Sequence, residues 1–307
     1  MSVAPDLDVP LTVIGGYLGA GKTTLLNRLI ADPTSPRLAV IVNDFGDLNI
    51  DEQLIKSRDG DMVSLTNGCV CCSLGDALGD GLAALLQLTP KPEHIVLEAS
   101  GVAEPKRVAQ YGYLTPGIRL AAVVSVADAE MVERQARDRF VGALVQSQLR
   151  DADLIVLSKT DLVSQDQYQH VREWLDRLVE TPRVVDMVRG NLPASVLLGE
   201  GTFVPSPGDG HVHGPAFSNW SYVSDDVFDA GKVERVLETL SPTIVRVKGF
   251  LKCVDGFATV HLAGRRISLE MTALPEDVLR TQLVFIAVGE DMDMDELRQS
   301  LEACRVG

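Results

Sequence analysis

The stretch Leu11–Thr24, LTVIGGYLGAGKTT, decides the fold. Its apolar, β-branched run breaks into glycines and restarts with a helical pattern, which indicates a strand, a loop and a helix in that order. Residues 16–23 fit the motif G-x-x-x-x-G-K-[ST], in which backbone N–H groups at a helix N-terminus bind phosphate. The sequence therefore predicts a phosphate-binding loop. A glycine-rich turn that precedes a helix by coincidence is the alternative.

Each position of this loop has a predicted role. Five consecutive N–H groups, from Gly19 to Thr23, would converge on phosphate, where the helix dipole favours negative charge. Lys22 would contact the β- and γ-phosphates, and the Thr23 hydroxyl would ligate Mg²⁺. Glycine is needed where a side chain would block the approach of the phosphate. The predicted nucleotide-binding residues here are Gly16, Gly19, Ala20, Gly21, Lys22, Thr23 and Thr24.

Length and composition restrict the class of protein. The 307 residues include 46% hydrophobic and 23% charged residues, which is ordinary for a folded globular chain. The 43 acidic and 28 basic residues give a formal net charge of −15, which disfavours nucleic acid and anionic membrane as partners. The sequence shows neither a signal-peptide profile at its start nor an apolar run long enough to span a bilayer. We therefore expect a cytoplasmic protein.

Further apolar runs that alternate with helical patterns predict an α/β fold. The expected architecture is a P-loop NTPase with a mostly parallel sheet flanked by helices, over residues 1–198. One of its helices is expected over residues 138–150, with Phe140 on the apolar side. Residues 199–216 are rich in Gly and Pro and indicate a linker. Residues 217–307 predict a smaller C-terminal α+β domain with a mixed sheet.

Acidic residues follow two of the predicted strands, and both ends should face the phosphate side of the sheet. Glu98 ends one strand and can hold Mg²⁺ through water, while the Gly101 N–H can reach a γ-phosphate. Lys22, Glu98 and Gly101 are therefore the predicted catalytic residues. At the end of another strand, Asp161 can accept both N–H groups of a guanine edge, and Lys159 can pack along the base.

A dense cysteine cluster predicts a site for a thiophilic ion. Cys69, Cys71 and Cys72 offer thiolates that suit Zn²⁺ or a similar ion such as Co²⁺. Buried small side chains or a redox pair are the alternatives. Asp44 and Asp47 follow an earlier strand and are further candidate metal ligands, and a solvated acidic loop is the alternative.

Taken together, these motifs resemble the CobW-type family of P-loop GTPases. The strings that carry the resemblance are the phosphate loop, Asn43–Asp47, Asn67–Cys72, Glu98–Gly101 and Ser158–Asp161, with Arg246–Leu251 and Gln282–Ile286 in the second domain. The resemblance implies that the protein binds GTP or GDP with Mg²⁺, slowly hydrolyses GTP to GDP and phosphate, and binds metal in a manner coupled to the nucleotide.

This sequence departs from the family pattern at several positions. Asp44 and Asp47 stand where the family usually has glutamates, and Ser158 replaces the usual asparagine of the guanine motif. The histidine-rich linker of many members is reduced to His211 and His213, which a solvated linker explains better than a metal site does.

The resemblance implies a metallochaperone that delivers a thiophilic divalent metal, zinc in first place, to a metal-requiring client protein. One alternative is an assembly GTPase that activates a metalloenzyme or a cobalamin pathway without carrying the ion. Another is a non-enzymatic metal buffer. The sequence leaves open which client is served and whether the protein forms a homo-oligomer.

Overall fold

A computed structural model describes residues 8–42, 74–199, 217–272, 280–289 and 293–306. The described residues form two compact units, one from residues 8–199 and the other from residues 217–306. The predicted linker lies almost wholly outside the described residues, so its bounds remain a prediction. No helix in the described part is long and apolar enough to cross a bilayer.

In its described residues, the first unit is built on a parallel sheet of six strands. Its order is β2-β3-β1-β4-β5-β6, and every neighbouring pair is parallel. The strands are almost entirely buried because helices cover the sheet, as expected for apolar, β-branched runs. The predicted P-loop NTPase fold is thereby confirmed. The strand bounds are β1 (Val9–Gly15), β2 (Leu38–Val42), β3 (His94–Glu98), β4 (Ile118–Asp128), β5 (Leu154–Ser158) and β6 (Val184–Met187).

Helices connect these strands and complete the core. The helix bounds are α1 (Lys22–Ala31), α2 (Leu74–Leu85), α3 (Pro105–Leu114), α4 (Val132–Ala136), α5 (Gly142–Arg150), α6 (Gln165–Leu178) and α7 (Ala194–Leu198), with a 3₁₀ turn at Thr160–Leu162. Leu78, Leu82 and Leu85 of α2 pack with β1 and β3 residues in one core cluster. In open parallel sheets flanked by helices, ligands bind at the edge formed by the carboxyl ends of the strands.

The helix predicted over residues 138–150 forms, but it is shorter than predicted, because residues 138–141 lie outside it. Helix α5 begins only at Gly142, and α4 ends before the segment, at Ala136. The Asp138 carboxylate accepts hydrogen bonds from the N–H groups of Phe140 and Val141. These bonds favour a local turn over a continuous helix. Phe140 is consequently 79% exposed rather than part of the core.

The described part of the second unit consists of a five-stranded sheet and two helices. Its order is β10-β9-β8-β11-β7, and all neighbouring pairs are antiparallel, so the predicted mixed sheet is wrong. The strand pairs β8–β9 and β9–β10 are each joined by two residues, which is too short for a parallel crossover. The bounds are β7 (Phe217–Ser224), α8 (Ala230–Glu238), β8 (Ile244–Cys253), β9 (Gly256–Ala263), β10 (Arg266–Thr272), β11 (Thr281–Val288) and α9 (Met294–Glu302).

Candidate functional site

A cavity of about 260 Å³ opens at the carboxyl ends of β1, β2 and β3. It is lined by most of the predicted phosphate-binding residues, by Glu98 at the end of β3 and by Gly101 after this strand. Val42, the last residue of β2, also reaches this cavity, and the candidate ligands Asp44 and Asp47 follow it in sequence. The lining residues are Leu18, Gly19, Gly21, Lys22, Thr23, Thr24, Val42, Glu98, Ala99, Ser100 and Gly101.

The glycines of the phosphate loop have two different roles. Gly16 has φ 129°, and a Cβ there would lie 2.1 Å from the Val126 carbonyl oxygen of β4, so close packing on the sheet requires glycine. Gly19 has φ 75°, and a Cβ there would meet no described atom within 4 Å. Its positive φ favours glycine, and its open side leaves the backbone accessible to a ligand.

Lys22 places a buried ammonium group inside the loop. Its Nζ donates to the carbonyl oxygens of Gly16 at 2.9 Å and Tyr17 at 3.4 Å, and the residue is 8% exposed. Helix α1 begins at Lys22, so its first-turn N–H groups lack intrahelical acceptors. Of the five N–H groups predicted to converge on phosphate, that of Ala20 donates to the Tyr17 carbonyl at 3.2 Å. The loop thus offers a cation and a helix N-terminus to an anion.

Thr23 and Glu98 meet at the cavity wall. The Thr23 hydroxyl donates to Glu98 Oε1 at 3.1 Å, and Glu98 is 3% exposed at the end of β3. A hydroxyl that donates its proton to a carboxylate keeps its oxygen lone pairs for a cation. These hard oxygen donors suit Mg²⁺, which prefers a few protein oxygens together with phosphate and water. The pair predicted from the sequence therefore fits this ion chemically.

The segment after β3 forms a tight turn beside the phosphate loop. The Ala99 N–H donates to the Ile14 carbonyl at 2.8 Å, and the Ala103 N–H donates to the Ser100 carbonyl at 2.9 Å. Since the C=O and N–H of a trans peptide point in opposite directions, the Gly101 N–H points away from this turn bond. A Cβ at Gly101 would lie 2.6 Å from Leu18 Cδ2, so glycine permits the contact between the two segments.

The segment predicted to bind guanine is attached to the phosphate loop through Ser158. Its hydroxyl lies 2.6 Å from the Ala20 carbonyl oxygen and 3.1 Å from that of Ala127. A hydroxyl has one proton, so the shorter contact is the stronger hydrogen bond. Ser158 is 1% exposed, which makes this connection between β5 and the loop a buried one.

Lys159 and Asp161 each have an ionic partner that the sequence reading missed. Lys159 Nζ lies 2.6 Å from Asp128 Oδ2, and Asp128 is 4% exposed at the end of β4. Asp161 Oδ2 lies 3.7 Å from Arg189 Nε. Lys159 and Arg189 have φ 58° and 52°, a backbone conformation that is strained for non-glycine residues and concentrates at functional sites. The position of Asp128 at a strand end was an available signal.

The metal ligands predicted outside the phosphate site fall in two segments of the chain, the one after β2 and the linker. Asp44, Asp47, Cys69, Cys71, Cys72, His211 and His213 all lie outside the described residues. The part of the chain that is described contains no group of three or more His, Cys, Asp or Glu residues arranged to hold a metal. Two other cysteines belong to the core of the second unit. Burial raises the pKa of the Cys253 and Cys304 thiols, which favours their neutral form.

Comparison with known proteins finds relatives of both units. The zinc chaperone CobW of Sinorhizobium sp is 34% identical over 227 residues, which are 63% of this chain and 63% of that protein. The zinc chaperone YjiA of Escherichia coli (strain K12) is 30% identical over 270 residues, 81% of this chain and 83% of that protein. The zinc-regulated GTPase metalloprotein activator 1 of Schizosaccharomyces pombe is 29% identical over 194 residues, 60% of this chain and 47% of that protein.

Two family descriptions cover the two units separately. The CobW/HypB/UreG nucleotide-binding domain matches residues 10–186, which contain the cavity and all described candidate residues for nucleotide. The C-terminal domain described for the cobalamin synthesis protein CobW matches residues 217–305. The match to the Sinorhizobium relative spans less than two thirds of that protein's length. The chain belongs to the CobW/HypB/UreG family, with a CobW C-terminal domain following its nucleotide-binding domain.

Proposed function

We propose that this protein binds and hydrolyses GTP and delivers a thiophilic divalent metal, zinc in first place, to a client protein. The observation that carries the GTPase part is the shared cavity of Lys22, Thr23 and Glu98 at the start of α1. A buried ammonium, a helix N-terminus and a hydroxyl–carboxylate pair are what a nucleoside triphosphate with its cation requires. The same set has no evident use in a protein that only stores metal.

The residues would promote hydrolysis by position and charge. Lys22 would hold the β- and γ-phosphates from inside the loop, and the Gly101 N–H would donate to the γ-phosphate as charge develops. Thr23 and Glu98 would hold Mg²⁺, which when bound neutralises charge on the phosphate oxygens. Phosphoryl transfer needs little covalent chemistry from the protein, so no nucleophilic side chain is required. We expect slow turnover of GTP to GDP and phosphate.

Asp161 would select guanine over adenine. Its carboxylate can accept from two N–H groups on the guanine edge, whereas adenine offers no matching donor pair. In the structure the Asp161 carboxylate lies beside the exposed guanidinium of Arg189. On binding, the guanine N–H groups would replace Arg189 as the partner of this carboxylate. The Asp128 carboxylate holds the Lys159 ammonium at 2.6 Å, which positions the methylene stem of Lys159 for packing along the base.

Metal delivery is supported by the chemistry of the cysteine cluster and by the names of the relatives. Three cysteines within four positions suit zinc, and thiols stay reduced in the cytoplasm. Two of the relatives are called zinc chaperones. The Schizosaccharomyces pombe relative is called a metalloprotein activator, which favours a second candidate function. In that case the protein would activate a metalloenzyme without carrying the ion.

The GTPase assignment is tested by nucleotide preference and by one loop variant. We expect the native protein to bind GTP more tightly than ATP and Asp161→Ala to lose most of that preference. Lys22→Ala should abolish hydrolysis while circular dichroism shows an unchanged fold, because Lys22 lines the cavity and does not belong to the apolar core. Equal affinity of the native protein for ATP and GTP would refute the guanine assignment, and unchanged turnover in Lys22→Ala would exclude this loop as the active site.

The two metal functions are separated by the cysteines. A triple variant with Cys69, Cys71 and Cys72 changed to serine should lose bound zinc and the ability to activate a zinc-requiring client. If the variant binds no metal but still activates the client in the presence of GTP, the activator function is correct and the chaperone function is not. Metal analysis of the native protein from its own host identifies the ion.

A further inference from the structure

A buried glutamine on α5 holds the turn that follows β3. Gln148 is 2% exposed, and its Nε2 donates to the Gly101 carbonyl at 3.2 Å and to the Ala103 carbonyl at 2.8 Å. A glutamine NH₂ group has two donor hydrogens, so both can be used on this one turn. The amide is therefore hydrogen-bonded to the backbone on both sides of Val102.

Burial of this amide is costly unless its hydrogen bonds are made. An amide without a partner in the interior destabilises the fold, so a glutamine is favourable at this position only because both hydrogen bonds are formed. A more exposed ion pair links Asp151, the residue that follows α5, to Lys106 of α3 at 3.1 Å. Helix α5 thus holds the turn after β3 in place through the hydrogen bonds of Gln148.

The opposite side of the same turn contacts the phosphate loop. The Ala99 N–H donates to Ile14 of β1, and Gly101 lies directly against Leu18. Just beyond the turn, Pro105 of α3 approaches Gly15 so closely that a Cβ on Gly15 would lie 2.1 Å from Pro105 Cγ. The turn is therefore held between the phosphate loop and Gln148, and its carbonyls face the glutamine while Gly101 lines the cavity.

We propose that Gln148 is a positioning residue for recognition of the γ-phosphate. By holding the carbonyls of Gly101 and Ala103, it sets the orientation of the turn and with it the direction of the Gly101 N–H. This inference rests on the proposed GTPase function, in which that N–H contacts the γ-phosphate. GDP lacks this phosphate, so Gln148 affects binding of GTP and its hydrolysis but leaves the binding of GDP unchanged.

The test compares two glutamines of the same helix. Gln148→Met keeps the length and approximate volume of the side chain but removes both donors. Gln146→Met is the matched control, because Gln146 donates its amide to the Ala136 carbonyl at 2.8 Å, away from the turn. Affinities for GDP and for a non-hydrolysable GTP analogue, together with kcat for GTP, are measured for the native protein and both variants.

For Gln148→Met we expect about tenfold weaker binding of the GTP analogue and about tenfold lower kcat, with GDP affinity within about twofold of native. Gln146→Met should match the native protein in all three quantities. Equal losses for GDP and the analogue would assign Gln148 a general structural role and overturn the proposal, as would unchanged values. If Gln148→Met does not fold, Gln148→Asn, whose shorter amide cannot reach both carbonyls, should show the same selective loss.

The outcomes separate this inference from the proposed function. If the native protein hydrolyses GTP and Lys22→Ala does not, the GTPase assignment holds whatever Gln148 does. If the native protein binds neither GDP nor the GTP analogue, the proposed function fails and this inference fails with it. Selective loss of the analogue in Gln148→Met, with Gln146→Met unaffected, supports both.

Discussion

Ser158 stands where the family usually has asparagine, and the structure shows what the shorter side chain does. Its hydroxyl oxygen lies within hydrogen-bond distance of two carbonyl oxygens but has one proton to donate, and the nearer carbonyl belongs to Ala20 of the phosphate loop. An asparagine offers two amide hydrogens and an acceptor oxygen, so it could satisfy more partners from the same position. Ser158 therefore keeps the connection from β5 to the loop but has little capacity left for the base.

We expect Ser158→Ala to weaken the binding of GTP and GDP to a similar degree, by about tenfold. The buried Ala20 carbonyl loses its donor, and the loop that binds the phosphates common to both nucleotides is less well fixed. The measurement is titration of each nucleotide by calorimetry. Ser147→Ala is the control, because the Ser147 hydroxyl on α5 donates to the carboxylate of Asp151, the residue that follows this helix. Native affinity for both nucleotides in Ser158→Ala would show that this bond does not position the loop.

Residues of the site differ in how readily the sequence reveals them. Lys22, Thr23 and Glu98 were predictable because the motif fixes their spacing and the strand pattern fixes their edge, and the structure places them around one cavity. Gln148 gave no signal, since its partners are backbone carbonyls some 45 residues earlier in the chain. Asp128 ends a strand as Glu98 does, but its ionic partner Lys159 becomes evident only from the pairing of β4 with β5.

At the scale of elements, the buried strands were predictable, whereas helix α3 was not. Continuous β-branched runs identify β2 and β3 with the bounds that the structure shows. Helix α3 was missed because its first residue is Pro105 and its interior contains Gly112, both of which count against a helix in a sequence. In the fold, proline suits the first turn, and a Cβ at Gly112 would lie 2.8 Å from Leu11 Cδ2. Tertiary packing thus outweighs helix propensity here.

The connection between α6 and β6 predicts a dependence of stability on alkaline pH. Tyr168 of α6 donates to Asp186 Oδ2 of β6 at 2.7 Å. Burial is the largest cause that raises the pKa of Tyr168 to about 12, and this hydrogen bond is the second largest. An unfolded tyrosine titrates near pH 10, so the folded state keeps its proton to higher pH. The contribution of Tyr168 to stability is therefore complete below about pH 10 and is lost as the pH rises towards 12.

We expect the free energy of unfolding to fall between pH 10 and pH 12, and Tyr168→Phe to make this decline shallower, since phenylalanine has no proton to lose. Urea unfolding followed by circular dichroism across this range provides the measurement. Tyr113→Phe is the control, because Tyr113 of α3 is 64% exposed. A decline in Tyr168→Phe that runs parallel to that of the native protein would contradict the assignment.

At the scale of the whole molecule, the order of the motifs along the chain connects the two proposed binding functions. The chain leaves β2 at Val42, which lines the cavity, and returns to the described residues at Leu74, where α2 begins. Asp44, Asp47 and the three clustered cysteines all fall in the sequence between these points. This placement was available from the sequence, whereas the ligand geometry of the cysteines was not, because it depends on how the chain folds between the two points.

We therefore predict that metal affinity depends on the bound nucleotide. In sequence, the segment with the cysteines follows Val42, which lines the cavity, so contacts of the γ-phosphate there can alter the spacing of the thiolates. By linkage, a factor by which GTP tightens metal binding must equal the factor by which metal tightens GTP binding, and a typical coupling is about 1–3 kcal/mol.

The measurement is a titration of Zn²⁺ and Co²⁺ against a chromophoric chelator, with GDP and with a non-hydrolysable GTP analogue. Lys22→Ala is the matched control, because it should abolish the difference between the nucleotides by removing a phosphate contact while leaving every thiolate in place. We expect the native protein to hold metal about 5- to 150-fold more tightly in one nucleotide state than in the other. Identical metal affinities in the two states would mean that the cysteines do not respond to the nucleotide. A structural metal site, or a GTPase that acts without carrying the ion, would then explain this chain better than a nucleotide-controlled zinc chaperone.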